Sequence, residues 1–175
     1  DYHFTDDGTE NGDAVELTGA TSVNHIGTGT TTLDGVNTYT GDTTISAGTL
    51  LIDGSLTNSD VIVEDGGTLG GSGEIEGQVT IEDGGMLAAG NSPGTLDIGS
   101  RVLSESAEMT FELGPVGGIN DFVAVTGDLT LGGLLTILDL GELEEGTYTL
   151  FTYGGTLLDN GLMIESAPSG FFYEV

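Results

Sequence analysis

Val63-Glu64-Asp65-Gly66-Gly67-Thr68-Leu69 is echoed eighteen positions on by Ile81-Glu82-Asp83-Gly84-Gly85-Met86-Leu87. Each copy holds a β-branched residue, an acidic pair, two glycines, a variable residue and leucine. Self-similarity at a fixed period marks a repeat architecture. A unit of this length is too short for a pair of helices. It suits one turn of a β-solenoid, in which short strands alternate with tight turns. One such coil cannot bury its own apolar side chains. A second coil stacked about 4.8 Å above it pairs each strand in parallel and brings like residues into line. Leu69 is therefore expected beside Leu87, and Val63 beside Ile81, in interior columns that run through the stretch Val63 to Ile98. The glycine pairs are expected at corners that need positive φ.

The rest of the composition agrees. A chain of 175 residues is long enough for one core, and a solenoid need not be subdivided. Glycine supplies 32 residues, and Val, Ile, Leu and Thr alternate with Gly, Asn and Asp. No apolar pattern runs at helical spacing over ten or more residues. The regular aliphatic positions argue against disorder. There is no cysteine, which fits an extracellular protein held by stacking instead of disulfides. No stretch is long and apolar enough to insert in a membrane. The sequence opens on Asp1 with neither Met nor a signal peptide, as expected of a processed product or an excised fragment.

Charge is the second strong signal. Twenty-nine acidic residues face one basic residue, Arg101, for a net −28. Such a chain repels nucleic acid and anionic membranes, so neither is expected as a partner. It also repels itself, because stacking brings Glu64 toward Glu82 and Asp65 toward Asp83, and like charges opposed across strands are destabilising. Either these turns splay into solvent with diffuse counterions, which is the favoured reading, or cations collect along them, or the medium is salty or acidic. Glu64, Asp65, Glu82 and Asp83 are thus candidate calcium ligands, although the sequence requires no cofactor. Near the N-terminus, Asp6-Asp7-Gly8-Thr9-Glu10-Asn11-Gly12-Asp13 sets oxygen ligands around glycines, which makes Asp6, Asp7 and Asp13 further calcium candidates. An EF-hand does not fit there, since Thr18 stands where a bidentate Glu is needed, and a polar surface turn is the favoured reading.

From Gly27 the sequence reads Gly27-Thr28-Gly29-Thr30-Thr31-Thr32-Leu33-Asp34-Gly35, then Val36-Asn37-Thr38-Tyr39-Thr40-Gly41-Asp42-Thr43-Thr44-Ile45-Ser46-Ala47-Gly48-Thr49-Leu50. This run resembles the autotransporter-associated β-strand repeat. A later block, Gly84-Gly85-Met86-Leu87-Ala88-Ala89-Gly90-Asn91-Ser92-Pro93-Gly94-Thr95-Leu96, is similar to the family's Asn-Ser-Pro-Gly-Thr-Leu string, with Ala89 where proline is common. Beyond Ile98, Val125-Thr126-Gly127-Asp128-Leu129-Thr130-Leu131-Gly132-Gly133 and Thr147-Tyr148-Thr149-Leu150 resemble the closing strands of passenger domains. The resemblance implies a right-handed parallel β-helix on a bacterial surface or in a secreted protein. It implies scaffold and carries no catalytic residue.

Other positions are read from the residues themselves. Asn37 and Asn91 suit corner geometry and a stacked amide column. Tyr39 suits half-buried packing. Gly99-Ser100-Arg101 reads as a short break. His3 and His25 are expected to face solvent. Aromatic residues gather toward the C-terminus: Phe111, Phe122, Tyr148, Phe151, Tyr153, Phe171, Phe172 and Tyr173. They suit a cap over the open end of the tube, or an assembly surface. Phe171, Phe172 and Tyr173 could dock on another subunit. Tyr2 and Phe4, in the strand Tyr2-His3-Phe4, could pair with a sheet edge of their own chain or of a neighbour.

The expected organisation is all-β. Residues 1–26 form an N-terminal strand and cap segment, 27–113 the β-solenoid repeats, and 114–175 further coils with a more irregular, strand-rich aromatic cap. Enzyme chemistry finds little support. Polyuronate lyases need basic residues that a single Arg cannot supply. A glycosidase needs only two carboxylates, but no Trp is present to stack a sugar, and Glu142, Glu144 and Glu145 sit in turn-like contexts. The expected function is a non-enzymatic extracellular scaffold that assembles with itself end to end or within a larger surface protein. The alternative is an adhesin module for a glycan or host surface.

Overall fold

The computed structural model describes residues 2–4, 9–10, 16–90 and 93–170, and every regular element among them is a strand. The chain winds round three faces in turn. The first face stacks β1 (Tyr2–Phe4), β3 (Val23–His25), β6 (Thr43–Ile45), β9 (Val61–Val63), the far parts of β11 (Glu74–Ile81) and β13 (Thr95–Leu103), β16 (Leu129–Leu131) and β19 (Leu157–Asp159). The second stacks β2 (Thr9–Glu10), β4 (Thr30–Leu33), β7 (Gly48–Ile52), β10 (Gly67–Gly71), β12 (Met86–Ala89), β14 (Glu108–Leu113), β17 (Leu134–Asp139) and β20 (Met163–Ser166). The third stacks β5 (Val36–Asn37), β8 (Ser55–Leu56), the near parts of β11 and β13, β15 (Phe122–Val125) and β18 (Phe151–Tyr153). The ladders between these strands are parallel, so the fold is a parallel β-solenoid. The first and third faces join into one sheet because β11 and β13 run straight round their shared corner.

The register is the one the echo demands. Leu69 lies opposite Leu87, and Val63 opposite Ile81. The second face carries an inward column of Leu50, Leu69, Leu87, Met109 and Leu135. The first carries Ile45, Val63, Ile81 and Leu103, and the third Leu56, Ile75, Ile98 and Val125. All of these are buried in a single cluster. Alternation along each strand sends the next residue outward, which is why so many strands bury every second position.

The two glycines of each pair do different work. Gly66 and Gly84 have φ of 84° and 78°, the left-handed region that glycine enters freely. Gly67 has no such requirement. A side chain there would collide with the Ile45 carbonyl one coil below. The first glycine turns the corner and the second lets adjacent coils approach.

Coil length is not constant. Along the first face Val23, Thr43, Val61, Val79, Arg101, Leu129 and Leu157 succeed one another at steps of 20, 18, 18, 22, 28 and 28 residues. The added residues enter mainly at the corner between the second and third faces. Short coils turn there on Asp34-Gly35, Asp53-Gly54 and Ser72-Gly73; later coils use longer connections such as residues 114–121 and 140–150. This growth is why the eighteen-residue echo fades after Ile98.

Several sequence expectations change. His25 is 1% exposed, not solvent-facing. It occupies an inward position opposite Ile45. Its Nδ1 donates to the Ala47 carbonyl at 2.7 Å, and its Nε2 meets the Thr31 hydroxyl at 3.1 Å. A carbonyl can only accept, so the proton sits on Nδ1. Asn37 builds no amide column, because its neighbour in the next coil is Leu56. Its Oδ1 instead accepts the Leu17 N–H and its Nδ2 donates to the Gly35 carbonyl, so it closes one edge of the core. Tyr39 is wholly buried, and its hydroxyl joins Thr43 and Ser59 in a short interior network. Desolvation raises its pKa. Gly99-Ser100-Arg101 is no break, since it lies inside β13, the longest strand described. Phe111 is a core residue that meets Phe151 edge to face at 5.1 Å, so the aromatic cap begins inside the tube.

Candidate functional site

Four features depart from plain solenoid packing: an acidic notch, an interior cation, an open end and a widened corner.

The notch is built by the echo. Glu64, Asp65, Glu82 and Asp83 come together with Thr80 and Val102 around a shallow surface hollow of about 460 Å³. Much of this carboxylate array is engaged by protein donors. Glu64 Oε2 accepts the Ser46 hydroxyl at 2.5 Å, and Asp83 Oδ1 accepts the Ser106 N–H at 3.2 Å. The Asp65 carboxylate packs over Gly84. Among the described residues, no group of three or more His, Cys, Asp or Glu is placed to hold a metal ion. Asp6, Asp7 and Asp13 lie outside the described residues.

The same bonding explains how a chain of net −28 stacks at all. Asp53 Oδ1 accepts the Ser72 N–H at 3.0 Å, Asp60 Oδ1 the Gln78 N–H at 2.8 Å, and Asp128 Oδ1 the Thr156 N–H at 2.7 Å. Each is a corner carboxylate capping a backbone donor of the next coil, a charge-assisted bond where the β ladder leaves an amide unpaired. Asp121 caps amides in the interior, one from its own coil and one from the coil below. It is 2% exposed and accepts the Glu112 N–H at 2.7 Å and the Gly94 N–H at 3.0 Å. Burial pushes its carboxyl pKa up against the pull of those two bonds.

Arg101 is the feature that sequence reading missed. It takes the inward place between Val79 below and Leu129 above, and is 1% exposed. Among the described residues, none of its guanidinium nitrogens has a hydrogen-bond partner. The guanidinium lies over the Phe151 ring at 4.7 Å from the centroid. Burial alone pushes its pKa down to about 9. The signal was its parity with Leu103 two places on, in a strand that alternates inward and outward.

Counting β1 and β2 as coil one, the coil of β14 and β15 is the sixth and that of β16, β17 and β18 the seventh; the open end lies above coil seven, where β19 and β20 cover two of its three faces. Leu129, Leu135, Ile137, Phe151, Leu162 and Ile164 help to line a cavity of about 850 Å³. Around it Leu157, Leu158, Met163 and Tyr153 are exposed. Phe171, Phe172 and Tyr173 lie outside the described residues. At the other end, β1 pairs in parallel with β3 of its own chain, with Tyr2 opposite Val23 and Phe4 opposite His25.

The widened corner is rigid. Tyr148 Oη donates to the Gly114 carbonyl at 2.8 Å and lies 3.1 Å from the Glu144 N–H, which it accepts. Asn120 Oδ1 accepts the Gly114 N–H at 2.6 Å. The loop of coil seven is thereby pinned onto that of coil six.

Comparison with known proteins agrees with this geometry. Residues 26–52, from just before β4 to the end of β7, match the passenger-associated-transport-repeat family. The adhesin BmaC autotransporter of Brucella suis biovar 1 (strain 1330) is 42% identical over 183 residues, which take in 98% of this chain and 5% of the relative. An extracellular serine protease of Serratia marcescens is 41% identical over 83 residues, 47% of the chain and 8% of the relative. The chain thus spans a small fraction of the length of these curated relatives. Repeat, register and relatives agree: the chain is an autotransporter passenger-like β-solenoid.

Proposed function

We propose that the chain is a rigid, non-enzymatic scaffold segment of a surface-displayed or secreted bacterial adhesin. The observation that supports this most is the continuity of the ladders, which run through every coil with apolar columns inside. Such a tube is stiff along its axis and holds whatever its corners present at a fixed distance from the cell. The similarity to an adhesin over nearly the whole chain supports the adhesive setting. The interior His25 is bonded to Ala47 and Thr31 and shielded from solvent, which fits structural work better than proton transfer. Adhesion is tested with beads carrying the purified chain, applied to epithelial cell layers and to immobilised glycans. Retention above that of uncoated beads is expected, and none on either surface would remove the adhesive part.

The open end supports a second element of the proposal: it receives a further β coil, and in the isolated chain it stacks on another copy. Sedimentation of the purified chain in strong salt, where self-repulsion is screened, is expected to show end-to-end oligomers. The double variant Leu158→Asp/Met163→Asp is expected to abolish them. Monomers alone at every concentration and salt would overturn self-stacking.

A further inference from the structure

Exposed aliphatic residues from two successive coils meet at the widened corner. Val116 is 43% exposed, Ile119 75%, Leu138 44% and Leu140 45%. Val116 and Ile119 belong to the loop of coil six and Leu140 to that of coil seven, while Leu138 lies near the end of β17 just before that loop. A methyl group placed on Gly114 would touch the Leu140 side chain and the Ile119 carbonyl alike, each at 3.9 Å, so these two residues flank one point. Val116 leans on the Gly146 backbone of the loop above.

The coil-six part of this patch differs in kind from the apolar residues at the open end. Coil six has a coil below it and a coil above it, through the ladders of β14 with β12 and β17. Its loop is exposed sideways, where no further coil of the stack would cover it. In the shorter coils the same corner holds the tight polar turns Asp34-Gly35, Asp53-Gly54 and Ser72-Gly73, beside which Val36 is the one large aliphatic that stands exposed. The insertions therefore replace a tight polar turn with a preorganised apolar ledge, held by Tyr148, Asn120 and the Asp139 carboxylate that accepts the Gly141 and Leu143 N–H groups.

The surroundings say what can bind there. Asp139 and Glu142, next to Leu140 in sequence, are exposed, as are Glu144 and Glu145 further along the same loop toward the open end, and Glu112 stands opposite Leu138 in the ladder. Among the residues whose side chains are described, the two that can carry positive charge, Arg101 and His25, are each 1% exposed. The described surface is thus anionic without exception. An acidic partner, a second copy of this chain included, would be repelled, while a cationic one is steered in and registered by charge.

We propose that this ledge docks a protein segment whose apolar residues are ringed by lysine or arginine. The apolar centre supplies affinity, and the acidic rim supplies encounter rate and selection against acidic surfaces. The proposal goes beyond the adhesin reading and names a surface that reading does not need.

The test uses three fluorescent peptides of equal length: a Leu/Lys peptide with leucines on one face, a scramble of the same composition, and oligolysine. Binding to the purified chain is read by anisotropy at about 150 mM NaCl. The amphipathic peptide is expected to bind at least about tenfold more tightly than the other two, and to weaken as salt rises. Ile119→Ser/Leu140→Ser is expected to lose that advantage at least about tenfold, while Ile26→Ser/Val36→Ser, which alters exposed aliphatics elsewhere, keeps it. Circular dichroism of both variants checks that the solenoid is intact. Equal binding of amphipathic and scrambled peptides, or an intact Ile119/Leu140 variant that binds as the parent does, overturns the proposal. Bead adhesion that survives in the Ile119/Leu140 variant leaves the adhesin reading standing while the ledge falls.

Discussion

At the scale of single residues, Arg101 is the exception to the core and the best probe of it. An unpaired guanidinium inside an apolar column costs several kcal/mol in desolvation, and one contact with Phe151 offsets only part of it. Arg101→Leu, between Val79 and Leu129, is therefore expected to stabilise the chain by about 1–4 kcal/mol at pH 7, read from urea unfolding. The advantage depends on pH. Below the folded value of about 9 both states hold the proton and the cost is fully present. Above it the folded chain sheds the proton while the unfolded chain, whose guanidinium keeps its ordinary higher value, holds it, so stability of the parent rises. The gap between parent and variant should narrow at pH 10. A variant less stable than the parent at pH 7 would mean that the guanidinium has a partner. The sequence showed where Arg101 is but not which way it points. A lone charge beside Gly99 and Ser100 reads as a turn, because alternation becomes informative only once the ladder fixes the parity of β13. His25 was hidden for the same reason.

At the scale of the element, the strand-turn-strand unit was almost wholly legible. The echo placed Leu69 on Leu87, and the acidic pairs and glycines marked the corners. What the echo could not give was the division of labour within Gly66-Gly67, since only the coil below reveals that the second glycine meets Ile45. Gly67→Ala must push against a backbone carbonyl, and is expected to cost about 2–4 kcal/mol. Gly66→Asn keeps φ near 84° in a residue that tolerates it, with its nearest neighbour, the Ser46 carbonyl, at 3.8 Å, and should cost under about 1 kcal/mol. Guanidinium unfolding midpoints of the two variants decide the point; equal losses would contradict the assignment. The long coils were not legible as repeats. Insertions such as 114–121 move the next strand along the sequence without moving it in the stack.

At the scale of the whole molecule, the acidic surface governs behaviour in solution. Corner carboxylates such as Asp60 and Asp128 cap amides of the next coil, so acidity is partly structural. The remainder repels across coils and should respond to ions. The melting temperature is expected to rise with NaCl by screening, and to gain nothing further from calcium at matched ionic strength, since Glu64, Asp65, Glu82 and Asp83 are not grouped to hold a metal ion. A further rise with calcium that a chelator reverses would contradict this. Charge and fold class were readable from composition and period, whereas the ledge, which needs two loops from different coils side by side, was not.

The coils differ in length chiefly at one edge, while strands such as β14 and β17 keep their pairing through the change. A tube built this way separates inheritance of its frame from invention on its surface. Segments can be spliced in at that edge, lost or exchanged between positions such as Asp53-Gly54 and residues 114–121, and the interior need not be redesigned each time. One lateral seam is thus a free site for diversification along the full length of the rod.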